Sequence, residues 1–283
     1  MNDKVSINVV AYNQEKFLPE CLDAILAQTH KNIEIIVADD CSPDRTLEVA
    51  RAYEAKYPDI IKVVEAEKNG GVVVNATRGL KACTGDYYCT FAGDDVMLPH
   101  NLETQLAALN ANPAATMSHG NALWFDNDSG EILREHHKQP VRETSYERLL
   151  KGNNICATAT MVRRKYLPET YVDEAQSVCD LSYYADILVH GDGVYIDKPL
   201  VKYRRHSANL SNDERMHHHA LGALNYAVKN LRHHRNVYLG RGGQYRALTK
   251  KRLMAKDIIG AGKNALLYAL MKIRYGLSFI GLR

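Results

Sequence analysis

Residues 33–40, IEIIVADD, and residues 86–95, DYYCTFAGDD, decide the reading of this chain. Each is a short apolar run that ends on two acids, Asp39-Asp40 and Asp94-Asp95. Runs this apolar suit strands of a parallel sheet covered on both faces. Carboxylates at the carboxyl ends of such strands face the crevice where open α/β sheets take ligands. Two acidic pairs in one crevice repel each other unless a cation or a donor-rich ligand neutralises them. A nucleotide carrying a divalent metal would do both.

The flanking sequence repeats the same alternation. VSINVVAY (5–12) predicts a strand, and FLPECLDAILAQ (17–28) predicts the helix after it. RTLEVARAYEAKY (45–57) reads as a helix closed by Pro58, and IIKVVEA (60–66) as a third strand. After Asn69-Gly70-Gly71 a helical stretch runs to Lys81, with Gly85 as a stop, and Pro99 introduces a helix over NLETQLAALNAN (101–112). Beyond it, ATMSHGNALWFD (115–126) and EILREHH (131–137) predict two strands around a turn, and ATATMVRRKYL (157–167) another strand. A helix is expected near Leu181–Val189. GVYIDKPLVKYRRH (193–206) is extended, and Pro199 suits it to an edge strand or a connection. From about Asn212 the pattern is helical and basic.

The 283 residues suffice for one large domain or a domain with an extension. The six cysteines form no CxxC pair, which leaves no zinc knuckle or redox motif and fits a reducing compartment. The start, MNDKVSINVVAYNQ, reads as a strand and not as a signal peptide or membrane span, so a cytosolic chain is expected. Charge is unevenly divided: residues 241–283 hold ten Lys/Arg against one acid, while the rest of the chain is net acidic. Such a tail suits an anionic surface, and ALLYALMKIRYGLSFIGL (265–282) suits lying on a membrane or packing as a helix with a basic face. Nucleic-acid binding is not expected, because no stacking aromatics interleave with the basic residues on a sheet.

Each candidate residue has a plainer account beside the functional one. Asp39-Asp40 could serve a nucleobase N–H or simply cap a helix. Asp94-Asp95 offers the hard oxygen ligands that Mg²⁺ or Mn²⁺ requires. Asn69-Gly70-Gly71 lacks the lysine of a P-loop and reads as a turn. Asp180 could be an N-cap or a general base, and Arg204, Arg205 and His206 either pyrophosphate partners or solvated residues. The pairs and runs His136-His137, His217-His218-His219 and His233-His234 lack ligand spacing and read as surface histidines.

The order of AYNQEKFLPECLDAILAQT, IEIIVADDCSPDRT, KNGG, GDYYCTFAGDDVMLP and VCDLSYYADILVHGDGVYIDKPLVKYRRH resembles the nucleotide-sugar glycosyltransferases of family 2, over roughly residues 5–210. That resemblance implies a GT-A (Rossmann-like) fold: an α/β, mostly parallel sheet flanked by helices, followed by a helical basic C-terminal extension. It implies a domain over 1–210, with a nucleotide-binding half (1–112) and an acceptor half (113–210), and an extension over 211–283. Val10, Tyr12, Asp40, Asp94 and Arg204 would contact the nucleotide, Asp95 and His206 would hold Mn²⁺ or Mg²⁺, and Asp180 would be the catalytic base. The implied reaction is inverting transfer from a UDP- or dTDP-sugar to a saccharide or lipid-linked saccharide in surface polysaccharide synthesis. Polyprenyl-phosphate transfer and a non-catalytic nucleotide-binding scaffold remain alternatives, and a sugar-1-phosphate nucleotidyltransferase would want a Gly-rich loop that AYNQEKF lacks. Three positions depart from the family pattern: Ala92 where an acid is common, Cys179 where a Glu precedes the base, and Ala76-Thr77 in place of an Arg-Asn pair.

Overall fold

The computed structural model describes residues 3–169, 180–207, 209, 220–224, 239, 241, 244–248 and 258–277. The histidines at 217–219 and 233–234, and Cys179, lie outside them.

The first half alternates as its periodicity dictates: β1 (Val5–Ala11), α1 (Leu18–Leu26), β2 (Ile33–Asp39), α2 (Thr46–Lys56), β3 (Ile61–Glu65), α3 (Val72–Ala82) and β4 (Tyr87–Ala92). Then follow β5 (Val96–Met97), α4 (Asn101–Ala111), β6 (Met117–Asp126), β7 (Ile132–Glu135), α5 (Tyr146–Leu149), β8 (Thr160–Arg163), α6 (Asp180–Leu188), β9 (Gly193–Arg205) and a long helix, here α7 (Ile258–Leu277). One nine-stranded sheet forms in the order β3-β2-β1-β4-β8-β6-β9-β5, with β7 on β6. Strands β3, β2, β1 and β4 are parallel. β8 is antiparallel to both β4 and β6, whereas β6 and β9 are parallel. Two reversals around β8 therefore return β6 and β9 to the direction of β1, and the sheet is mixed.

Side-chain alternation along the strands builds two cores. Val5, Ile7 and Val9 of β1, Ile35 and Val37 of β2, and Cys89 and Phe91 of β4 meet Leu22 and Ile25 of α1 and Leu102 and Leu109 of α4. On the opposite face Ile36 and Tyr88 pack with Val73 and Leu80 of α3 and with Leu181, Tyr184 and Ile187 of α6. Asn8, buried beneath α3, donates through Nδ2 to Ala76 O at 2.9 Å and to the Tyr88 hydroxyl at 2.7 Å, while its Oδ1 is buried without a partner.

Two expectations change. Pro199 lies within a 13-residue strand and falls opposite Asn121, where the β6–β9 register breaks and proline removes no regular ladder bond. His136 and His137 follow β7 and are half-buried, not surface residues; burial, then neighbouring His137, pushes His136 down to about 4. The helix-spacing argument did not apply to them, because they lie at a strand end.

Candidate active site

The acids stand where β1, β2 and β4 run out together. Ala11 pairs with Asp39 and Val10 with Ala92, and the ladder extends through Asp40 N to Ala11 O and Gly93 N to Val10 O, each at 3.1 Å. At Gly93 a Cβ would meet Gln14 Oε1 at 2.5 Å, so a larger residue would have to displace that side chain. Tyr12, one residue beyond β1, is 47% exposed, as a ring free to lie against a planar ligand would be. Val10 is half-buried, beside the α3-side core.

Asp39 and Asp40 do different work. Asp39 accepts from the Ser42 N–H and hydroxyl and holds its own turn. Asp40 accepts from Gly70 N and Gly71 N, the latter at 2.7 Å, with Arg78 Nη2 3.7 Å away. It thereby fixes the turn that starts α3, where Gly71 adopts φ +85°, a conformation that favours glycine. The helix cap expected of this acidic pair is supplied to α2 by Asp44, which accepts from Thr46 N. Asn69-Gly70-Gly71 is therefore a turn tied directly to the acid ending β2. Arg78, two residues past Ala76, places a guanidinium beside Asp40.

The second acidic pair is docked onto β9 by β5, a strand too short for sequence periodicity to reveal. Val96 and Met97 pair antiparallel with Lys202 and Val201, which brings Asp95 Oδ1 to 2.9 Å from Arg204 N. Asp95 is 1% exposed, and its second oxygen, Oδ2, has no hydrogen-bond partner. Burial, and then Asp94 beside it, push its pKa well above the ordinary carboxylate range. The Thr158 hydroxyl favours the charged form, although it too is buried without a bond of ordinary geometry. Asp94 accepts or shares a proton with His206 Nε2 at 2.9 Å, and the His206 ring lies 5.0 Å from that of Phe17.

Arg204 occupies a different position from a solvent-facing phosphate ligand. Its side chain is 7% exposed and donates to Asp94 O, Asn127 Oδ1 and Glu20 Oε2, between the rings of Phe17 and Phe125. It reaches the acidic pair through main-chain groups. Glu20 and Phe17, which clamp it, carried no sequence signal beyond their place at the start of α1.

Asp180 is the first described residue of α6 and is half-buried; burial raises its pKa to about 6. Cys156, 4% exposed, ties it to the other acids. Burial, then Asp95 and also Asp180, push the Cys156 thiol up to about 12, so both carboxylates lie within electrostatic reach of one side chain. Asp95, Asp180 and the Cys156–Thr158 segment therefore share a neighbourhood. Asp40 stands at the same edge of the sheet, across β1.

The donor set suits a hard divalent cation. Among the described residues no group of three or more His, Cys, Asp or Glu forms a ready metal cage. Mg²⁺ and Mn²⁺ sites need no such cage, since one or two carboxylates plus substrate phosphates suffice. The buried, unpaired Oδ2 of Asp95 is the oxygen such an ion would satisfy. His206 meets Asp94 through Nε2, which leaves Nδ1 as the ring nitrogen open to a metal.

Residues 6–170, more than half of the chain, match the family model for glycosyl transferase family 2. The putative teichuronic acid biosynthesis glycosyltransferase TuaG of Bacillus subtilis is 26% identical over 74% of this chain and 82% of its own length. The putative glycosyltransferase EpsE of the same organism is 41% identical over 38% of each chain. An uncharacterized protein of Mycobacterium tuberculosis is 29% identical over 73% of this chain and 60% of its own, so the match spans less than two thirds of each of these last two relatives. Staphylococcus aureus TarS in complex with UDP-GlcNAc superposes with a TM-score of 0.67 at 16% identity, covering 94% of this chain and 92% of that one. The mannosyltransferase PcManGT of Pyrobaculum calidifontis, in complex with GDP-Man and Mn²⁺, gives 0.65 at 14% identity over 97% and 86%. The sheet is thus that of the GT-A glycosyltransferases, and the chain belongs to glycosyl transferase family 2.

Proposed function

We propose that this chain transfers a sugar, with inversion, from a nucleotide-sugar to a hydroxyl of a saccharide or lipid-linked saccharide in surface polysaccharide synthesis. The observation that carries this reading is the buried Asp95 with one carboxylate oxygen left unpaired, at the carboxyl edge of a sheet that matches the GT-A glycosyltransferases. Residues 1–112 would hold the donor, 113–210 the acceptor, and 211–283 would form an extension. Tyr12 offers an exposed ring to the base, and Val10 and Asp40 shape the floor beneath it. Asp40 acts by holding the Gly70-Gly71 turn against β2, and Asp94 keeps His206 turned toward the crevice.

Asp95, with Asp94 and His206, would hold Mn²⁺ or Mg²⁺. Such an ion would act as a Lewis acid toward the departing diphosphate. Asp180 receives the acceptor hydroxyl's proton on a carboxylate oxygen as the acceptor oxygen attacks the anomeric carbon. Arg204 positions Asp95 through its N–H. The reading is tested by melting the protein with a panel of nucleotide sugars and Mn²⁺, then assaying the stabilising donor for transfer. One donor should raise the melting temperature and be consumed. Donor binding without hydrolysis or transfer to any acceptor would leave a non-catalytic binding module.

Association with the cytoplasmic face of a membrane is supported by α7. Ala261, Asn264 and Met271 are buried, while Leu266, Leu270 and Ile273, at i, i+4 and i+7, are 63%, 43% and 57% exposed. Exposed Lys263, Lys272 and Arg274 flank that stripe without an acid in the helix, and each is worth ~1 kcal/mol near an anionic leaflet. No described helix is long and apolar enough to cross a membrane. Replacing all three stripe residues by Ser should abolish flotation with phosphatidylglycerol liposomes; undiminished flotation would refute the surface role.

A further inference from the structure

On the acceptor half, a row of rings leads to a polar cavity that the donor chemistry does not use. His119 and Tyr195 have centroids 5.1 Å apart, His137 and Tyr195 5.7 Å, His136 and His137 4.5 Å, and Trp124 and His136 5.9 Å. The row is held rigidly. His119 is fully buried with Nε2 2.7 Å from Thr144 Oγ1, and Asn121 donates to His137 O while accepting from His137 N. Tyr195 lies on β9, the strand whose Arg204 N–H holds Asp95.

At His137 the row meets a cavity of about 360 Å³, within the ~300–1,000 Å³ typical of small-molecule sites. Beside Pro140 and Val141, its walls carry the polar side chains of His137, Gln139, Arg142, Glu143, Arg148 and Asn154. An apolar ligand would strand these groups, whereas a hydroxyl-rich one can satisfy them. Glu143 already accepts from Ser145 Oγ, and Arg148 spends one N–H on Gly152 O at 2.9 Å. A guanidinium has five donors in a planar fork, and two of them against the single Glu143 carboxylate leave the walls net positive, which favours a carboxylate or phosphate.

We propose that the half-buried rings of the row, from Tyr195 to Trp124, form the acceptor site together with this cavity while buried His119 backs them, and that the acceptor is a saccharide whose anionic group is bound by Arg142 and Arg148. The proposal rests on the transferase reading of Asp180 and deepens it by naming the acceptor class. A uronic carboxylate and a phosphate ester share this chemistry, so a matched set of probes separates them: cellobiose, its 6′-carboxylate and its 6′-phosphate. Binding to the full chain is followed by saturation-transfer NMR, without turnover. At least one charged probe should bind fivefold or more tighter than cellobiose, and the tighter of the two identifies the group. Arg142→Ala, at an exposed position, should erase that advantage without changing the melting temperature or UDP affinity; Arg148→Lys, which keeps charge but loses the fork, should reduce it. Equal binding of all three probes, or an undiminished advantage in Arg142→Ala, overturns the proposal. UDP titrated in parallel reports on the donor reading separately, so failure of one is not mistaken for failure of the other.

Discussion

Replacing Asp180 by Asn should slow turnover and stabilise the fold together. Burial raises this carboxyl from an ordinary 3.8 to about 6. If its ionised form is the base, about nine molecules in ten are competent at pH 7 and about one in ten at pH 5, a roughly tenfold rise in rate across that interval. The stability effect has the opposite sense. The folded state holds the proton more tightly than the unfolded one, so the fold weakens as pH rises from about 4 through 6, by up to about 3 kcal/mol at pH 7. Asparagine has no charge to desolvate. Asp180→Asn should therefore recover part of that cost, with ~2–4 °C in melting temperature per kcal/mol for a chain of this size, while losing ~10²–10⁴-fold in turnover. Nucleotide release between pH 5 and 7, with calorimetric melts at both ends, measures both arms. The stability gap between variant and parent should roughly halve by pH 5 and close only below about pH 4. Unchanged turnover would remove Asp180 from the mechanism and favour transfer to an acceptor that is already anionic, such as a polyprenyl phosphate. An unchanged melt at pH 7 would refute the burial argument.

Asp95→Asn should also stabilise the apo protein, since its carboxylate is buried with Oδ2 unpaired, yet abolish the Mn²⁺-dependent part of UDP binding measured by calorimetry; retained metal dependence would move the ion elsewhere. Arg204→Ala strips the clamp from Phe17, Phe125, Asn127 and Glu20 and should cost ~2–3 kcal/mol in denaturant unfolding. Loss of UDP affinity with unchanged stability would instead assign its guanidinium to the phosphates. At the opposite edge of the sheet, burial works against the charge on Glu34, but bonds from Lys4, Ser6 and Thr84 overcome it and pull its pKa to about 2. The resulting stability is present above about pH 4.5 and lost as pH falls toward 2, worth about 2 kcal/mol after solvent screening. Glu34→Gln should therefore be less stable than the parent at pH 7 and nearly equal to it near pH 2; equal denaturation midpoints at pH 7 would rule the cluster out.

Legibility followed the range of the signal. The alternation of Val5, Ile7 and Val9, and the helical spacing of Leu18, Cys21, Leu22 and Ile25, are local patterns that sheet and helix geometry impose on neighbours in sequence. The two residues of β5 carry no period, so the element that carries Asp95 to β9 was invisible. The His136-His137 pair was judged by helix geometry because nothing local announced that it ended a strand beside buried His119. The family resemblance places Arg204 beside the nucleotide, but nothing local announces Glu20, Phe17 and Phe125, the remote partners that bury it.

Chain order and hydrophobic period by themselves settled the βα alternation and which acids would end which strands, since both depend on residues a few positions apart. Only tertiary structure decided how each acid is used. Asp40 is spent on a turn thirty residues away, and Asp95 meets an N–H 109 residues away while its other oxygen stays unpaired. Burial and hydrogen-bond partners set the chemistry of a carboxylate, and in this chain both come from remote segments that no local pattern encodes.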